Sequence, residues 1–207
     1  MIVYSSWPSE MTEWVMPVEK GGHRIIKDVL FSDPGVPVGG RWVPQRMYML
    51  TEDDNGESLQ QTDMPHYGAD ALVVNKRARD SLEPVIGQDA EFLEITGGRE
   101  DLWLVNPWRV LDVFDEERSD FKRFNNSRRI MKITKYAFRP GLLEGVTCFR
   151  IPQRLGEALW TDLVVEAIGT AGLTGTVFRK VWADLPEGYL SHACNDSSAV
   201  SAAMSAA

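Results

Sequence analysis

Four apolar residues, Ala71 to Val74, run without interruption into Asn75, and from Lys76 to Glu83 the apolar positions change to helical spacing, with Ala78 and Leu82 on one face. The pattern predicts a short strand, a helix capped by the Asn75 side chain, and a stop at Pro84. Gln88 to Thr96 then alternates as a strand, anchored by Phe92 and Ile95, before Gly97-Gly98. The same order returns 86 residues later without a gap: Val74 and Asn75 align with Trp160 and Thr161, Ala78 and Leu82 with Val164 and Ile168, Val85 with Ala171, and Phe92 with Phe178. In this second copy Leu163, Val164, Ala167, Ile168 and Ala171 mark a helical face, and Gly172 stands where a C-terminal glycine closes a helix. Identity between the copies is slight. They are either two related strand-helix-strand units or a chance likeness between two common units.

Between the copies, Leu102 to Val105 and Trp108 to Phe114 read as strand material broken at Asn106-Pro107. Ile130 to Phe138 reads as a strand with Met131, Ile133 and Ala137 on one face and Lys132 and Thr134 on the other. Val146 to Ile151 is a further strand, stopped by Pro152. From Met1 to about Asp70 the breakers Pro8, Pro17, Gly21-Gly22, Asp33-Pro34-Gly35, Pro37, Gly39-Gly40 and Pro44 predict short strands and turns rather than long helices. Within that region a hairpin is expected from Trp42 through Met47, Tyr48, Met49 and Leu50, turning at Asp53-Asp54-Asn55-Gly56. The fold class is therefore α+β, with mixed, largely antiparallel sheets and a few short helices. Residues 1–190 are expected to form one domain, and the serine-alanine stretch 191–207 a frayed helix or flexible tail.

Composition narrows the function. Of 207 residues, 43% are hydrophobic and 25% charged, as in an ordinary globular protein, and seven tryptophans supply heavy anchors. The net charge of −8, from 30 acidic and 22 basic residues, argues against a dedicated nucleic-acid binder and suits a basic partner. Cys148 and Cys194 are too few for a disulfide scaffold and lack metal spacing. MIVYSSWPSEMTEW has neither the basic start nor the apolar run of a signal peptide, and no segment is apolar for long enough to span a bilayer, so a cytoplasmic protein without membrane partners is expected.

A search for chemistry finds no convergent set. His23, His66 and His192 are scattered, and no HExxH is present. The loop beginning at Thr51 places threonine at the first and twelfth positions of a would-be calcium loop, where carboxylates are required. Cys148 lies inside the predicted strand VTCFRI with no histidine nearby, as a buried thiol does. GLTG at Gly172 to Gly175 is too short to cradle a phosphate. Hence no catalytic residue, metal, cofactor or small-molecule substrate is expected. Two charged features remain. Asp112, Asp115, Glu116, Glu117 and Asp120 form an acidic cluster. Lys122, Arg123, Arg128, Arg129, Lys132, Lys135 and Arg139 follow without an acidic residue, interleaved with Phe124, Tyr136 and Phe138. The basic run is either a phosphate-binding stripe or a cationic strand face paired with the acids before it.

The series TDMP (Thr62 to Pro65), ALVVNKRARDSLEP (Ala71 to Pro84), EFLEI (Glu91 to Ile95), LVNPWRVLDVFDEERSDF (Leu104 to Phe121), CFRI (Cys148 to Ile151) and AGLTGTVFRKVW (Ala171 to Trp182) resembles the myxobacterial-type immunity domain of bacterial polymorphic toxin systems. The resemblance covers about Trp42 to Trp182; residues 1–41 and the tail do not align. It implies a cytoplasmic antidote that binds the toxin made by a neighbouring gene and blocks it, with no catalytic residues to carry over. For a basic toxin, the acidic loops are the candidate contacts: Glu52, Asp53, Asp54 and Glu57 in one, Asp112, Asp115, Glu116, Glu117 and Asp120 in the other. The rival readings are an enzyme reversing a toxin's modification of its target, and a nucleic-acid-binding regulator using residues 122–139.

Overall fold

A computed structural model describes residues 1–68, 71–98, 101–125 and 127–184. The expected tail at 191–207 lies outside the described residues. Strands β1 (Ile2–Pro8), β9 (Cys148–Phe149), β10 (Leu159–Thr161) and β11 (Thr176–Ala183) form an antiparallel sheet in the order β11-β1-β10-β9. Strands β2 (Trp14–Pro17), β3 (Gln45–Leu50), β4 (Leu72–Asn75), β5 (Ala90–Thr96) and β6 (Leu102–Pro107) form a second sheet in the order β2-β3-β5-β6-β4, in which β3 and β5 run parallel and the other neighbours antiparallel. A separate hairpin joins β7 (Asp120–Arg123) to β8 (Ile130–Lys135). The helices are α1 (Gly22–Leu30), α2 (Lys76–Ile86) and α3 (Asp162–Thr170). The class is α+β, as the patterning predicts.

The two strand-helix-strand units share one topology. Lys76 opens α2 and Asp162, 86 residues on, opens α3. In the first unit β4 and β5 both pair antiparallel with β6, which lies between them; in the second, β10 and β11 both pair antiparallel with β1. The registers match on both sides. Val74 and Phe92 face Trp103 and Val105, while their counterparts Trp160 and Phe178 face Tyr4 and Ser6. Each unit is thus a split β-α-β motif, but its middle strand comes after the unit in one case and from the start of the sequence in the other.

The caps differ in mechanism. The Asn75 side chain accepts the Ala78 N–H at 3.0 Å, which ties down one of the four free N–H groups of the first turn. The Thr161 hydroxyl instead donates to the carbonyls of Val146 (3.0 Å) and Thr147 (3.1 Å), fastening β10 to the approach to β9. After α3, Gly172 adopts φ +59° and Leu173 N–H reaches back to Ile168 O at 3.1 Å, the closing bond that a left-handed residue permits.

Packing follows from strand alternation. Leu72, Val74 and Val105 of one sheet and Trp160 and Cys148 of the other join Ala78, Leu82, Ile86, Val164 and Ile168 in one apolar cluster shared by the two helices. Each fully buried leucine or isoleucine there contributes roughly 1.5–3 kcal/mol relative to exposure. The opposite face of the five-stranded sheet, with Val73, Leu93, Ile95 and Leu104, packs with Ile26 and Leu30 of α1. Val3, Phe149 and Leu159 of the other sheet face Ile130 and Ile133 of the hairpin.

Several local expectations change. Helix α1 begins at Gly21-Gly22, read as a break; Gly22, Ile26 and Leu30 make its buried stripe. Helix α2 continues past Pro84 to Ile86, because the proline stands in the last turn and Gly87 N–H still bonds Glu83 O at 3.0 Å. The turn at Asp53 to Gly56 forms, with Gly56 at φ +80°, but its return arm is only a bridge from Glu52 to Ser58, and β3 finds its longer antiparallel partner in β2. Trp108 to Phe114 is not a strand and pairs only through bridges at Val110 and Phe114. Met131 points outward while Ile130 and Ile133 are buried, since the β7–β8 register shifts twice.

Candidate functional site

The motif residues that set this chain apart in sequence turn inward and form two polar junctions. At the first, the buried Asp89 carboxylate accepts the Thr147 N–H (2.7 Å), the Thr147 hydroxyl (2.8 Å) and an Arg109 N–H (2.7 Å). Beside it the buried Arg150 guanidinium donates to Pro107 O (2.8 Å), Leu155 O (2.8 Å) and Asn106 Oδ1 (3.3 Å), and lies 5.0 Å over the Phe31 ring. Asn106 in turn donates to Glu91 at 2.9 Å, whose two oxygens receive the N–H groups of Val38 (2.7 Å) and Gly39 (2.9 Å). Glu91, Asn106 to Arg109 and Arg150 are thereby explained as the fastening between the two sheets.

At the second junction, Asp63 accepts from Arg77 (2.7 Å), the Thr174 N–H (3.0 Å) and the Thr174 hydroxyl (3.2 Å), and Arg77 also donates to Ala171 O at 2.6 Å. Burial pushes the Asp63 carboxyl up, but the Thr174 N–H and Arg77 outweigh it and hold it below its ordinary value. Gly175 is required here: at φ +113°, a Cβ would stand 2.2 Å from Met64 O. TDMP, NKR and AGLTG therefore meet at one place in space, joining the units on either side.

The two acidic loops are not brought together. Among the described residues no hydrogen bond or ion pair links residues 52–57 to residues 112–120. Asp53 is committed to its own turn, its carboxylate accepting the N–H groups of Asn55 and Glu57 at 2.8 Å each. Those bonds, that of Glu57 foremost, lower its pKa. Glu52, Asp54 and Glu57 are exposed, and among the described residues no ion pair engages them. In the second loop Asp115 caps the turn that follows it, accepting Glu117 N–H and Arg118 N–H at 3.2 Å each. Glu116 pairs with Arg123, and Asp112 with Arg139 at 3.5 Å, while Glu117 and Asp120 are exposed.

The basic stretch is thus partly matched with the acids before it. Arg123 also stacks on Phe121 and Arg129 on Phe124, with centroid distances of 5.0 and 5.6 Å. Lys122 and Lys132 stand directly opposite each other across the hairpin. A cleft of about 520 Å³ runs between the end of α1, at Lys27 and Phe31, and Arg129, Met131 and Gln153. Gln153 and Pro152 carry it on into a hollow of about 660 Å³ lined by Asp112, Glu116 and Arg128.

Cys148 is wholly buried, and burial pushes its thiol up to about 12, so it does not present a thiolate. Burial, and then Glu157 accepting its hydroxyl at 2.8 Å, raise the pKa of Tyr136. Among the described residues no group of three or more His, Cys, Asp or Glu is placed to hold a metal ion, and no helix is long and apolar enough to cross a membrane.

One surface escaped the sequence reading. Alternation along β2 and β3 turns Val15, Met47 and Met49 toward α1, and turns Trp14, Met16, Tyr48 and Leu50 to the other side. That other side is the face on which α2 packs, but the apolar cluster around α2 draws on β4, β5 and β6, and Trp14 remains 38% exposed, Tyr48 46% and Leu50 41%. The signal was present as the run Met47-Tyr48-Met49-Leu50, yet four apolar residues in a row conceal which two face out.

In comparison with known proteins, the model of the Immunity protein family (Imm11) matches residues 26–183. No curated protein matches the chain.

Proposed function

Because the chain belongs to the Imm11 immunity protein family, we propose that it is an antitoxin. It binds the toxin encoded by a neighbouring gene in the cytoplasm and neutralises it by direct contact, stoichiometrically and without chemistry of its own. The family match over residues 26–183 carries this reading. Two features support it. The distinctive motifs are used up in buried junctions, which give a fixed frame of the kind a preorganised inhibitor needs. The net charge of −8 suits a basic toxin, with Glu52, Asp53, Asp54 and Glu57, and Asp112, Asp115, Glu116, Glu117 and Asp120, offered as contacts.

The test is co-expression of this chain with the toxic product of the adjacent reading frame, followed by titration of the purified pair. Protection that saturates at one equivalent is expected. Protection at a small fraction of an equivalent would mean an enzyme that reverses damage, and no protection or binding at any ratio would overturn the antitoxin reading. Binding to DNA or RNA that weakens steeply with salt would point instead to the basic stretch 122–139.

A further inference from the structure

We propose that the outward face of the β2–β3 ribbon in the five-stranded sheet, centred on Trp14, Met16, Tyr48 and Leu50, is the surface that seats the toxin. The occupant is a protein face with an apolar centre and a lysine- or arginine-bearing rim. This rests on the antitoxin reading and names its contact surface.

Three observations converge there. First, the four side chains form two cross-strand pairs, Trp14 opposite Leu50 and Met16 opposite Tyr48, on one face of the β2–β3 ribbon. A contiguous apolar group with three exposed members, Trp14, Tyr48 and Leu50, beside half-buried Met16 is informative in a way that single exposed leucines are not. Second, its chemistry is that of an interface core: tryptophan, tyrosine and methionine are enriched in such cores, and lysine and aspartate depleted. The ring of His66 braces Trp14 edge-on at a centroid distance of 4.1 Å, so the largest anchor is held before anything binds. Third, the acidic turn grows directly out of this patch. Leu50 is the last residue of β3, and Glu52, Asp54 and Glu57 follow it with their carboxylates unpaired among the described residues. Exposed Glu94 of β5 and exposed Arg46 of β3 share this side of the sheet, Arg46 two residues from Tyr48 and Glu94 farther off along the strands. The Leu50 end of the apolar centre therefore has a negative border, complementary to a basic partner, while exposed Arg46 stands at its other end.

The acidic loop at residues 112–120 lacks this combination. Its Asp112 and Glu116 already meet Arg139 and Arg123, so a partner there must first displace internal ion pairs.

The experiment uses the full chain and the polypeptide of the adjacent reading frame, made catalytically inactive for purification. Tyr48→Ala combined with Leu50→Ala should weaken binding at least 30-fold while the chain still unfolds cooperatively with only a modest drop in Tm from the lost cross-strand pairs. Glu52→Lys, Asp54→Lys and Glu57→Lys together should slow association about tenfold at low salt and much less at high salt. Leu163→Ala, an equally exposed apolar change on α3, should leave binding as it is. Should wild type bind tightly while the Tyr48/Leu50 variant stays within threefold of it, the surface assignment fails and the antitoxin reading survives. If wild type neither binds nor protects, the antitoxin reading itself fails. A concentration-dependent dimer of the chain alone, abolished by the Tyr48/Leu50 change with toxin binding intact, would assign the patch to self-association and overturn the proposal.

Discussion

Replacing Asp89 by alanine removes the acceptor of three hydrogen bonds, from Arg109, the Thr147 N–H and the Thr147 hydroxyl. The Arg109 side chain is 42% exposed and can turn to water, so its share is small, about 0–1 kcal/mol. The Thr147 N–H is buried and has no second acceptor, and an orphaned donor of that kind costs about 1–3 kcal/mol. The hydroxyl keeps only a weak contact with the Cys148 sulfur at 3.9 Å, adding about 1 kcal/mol. Together the loss should be about 3 kcal/mol, or roughly 6–12 °C in Tm for a protein of this size. Thermal and urea unfolding of Asp89→Ala, Thr147→Val and the double variant measure it. The double should be less destabilised than the sum of the singles, since Thr147→Val already lacks one of the shared bonds. A loss under about 1 kcal/mol for Asp89→Ala, or strict additivity, would refute the view that this junction fastens the two sheets.

Gly175→Ala places a Cβ 2.2 Å from Met64 O at a left-handed φ and should cost several kcal/mol, whereas Gly169→Ala in α3, with open space around it, should be neutral or stabilise by up to about 1 kcal/mol; parallel melts compare them. His66 is partly buried, and that burial lowers its pKa below the ordinary value. Folding therefore favours the neutral ring: its contribution is complete above about pH 6.5 and falls as the unfolded state takes up a proton below that. His66→Phe should remove this part of the pH dependence of unfolding, and an unchanged profile would count against it. Cys148 should resist alkylation in the native protein and react only on unfolding, which peptide mapping by mass spectrometry checks.

What the sequence made legible was local. The cap at Asn75, the helix behind it, Gly172 after α3 and the turn at Gly56 each depend on a few adjacent residues, and each is found. The spacing of the repeat also survived, because a gap of fixed length preserves register through strand and helix alike. What was hidden depends on partners distant in sequence. Asn106-Pro107 read as a break, yet its side chain and carbonyl are held by Arg150, just after β9. Trp108 to Phe114 had strand-like residues but lacked a neighbouring strand to complete a ladder. The open face of β2 and β3 could not be seen without knowing that β2 pairs with β3 and that the cluster around α2 draws on β4, β5 and β6. Of the candidate contact residues, Asp53 and Asp115 are half-buried and serve their own turns, Asp120 opens β7, and Glu116 and Asp112 are matched by arginines, none of which adjacent residues reveal.

The shared β-α-β topology also bears on the order of assembly. The first unit is completed by one uninterrupted stretch from Leu72 to Pro107 and needs only short loop closures. The second must recover β1 across most of the sequence, as in the bond from Ile2 N–H to Asp162 over 160 positions. It should therefore form last and slowly, with β1 left as an unpaired edge until α3 and β11 arrive. Asp184 N–H meets Met1 O at 2.9 Å. A rearranged gene that joins these two points and opens the chain elsewhere would give β10-α3-β11-β1, the same order as β4-α2-β5-β6, and would convert the slow unit into a second fast one.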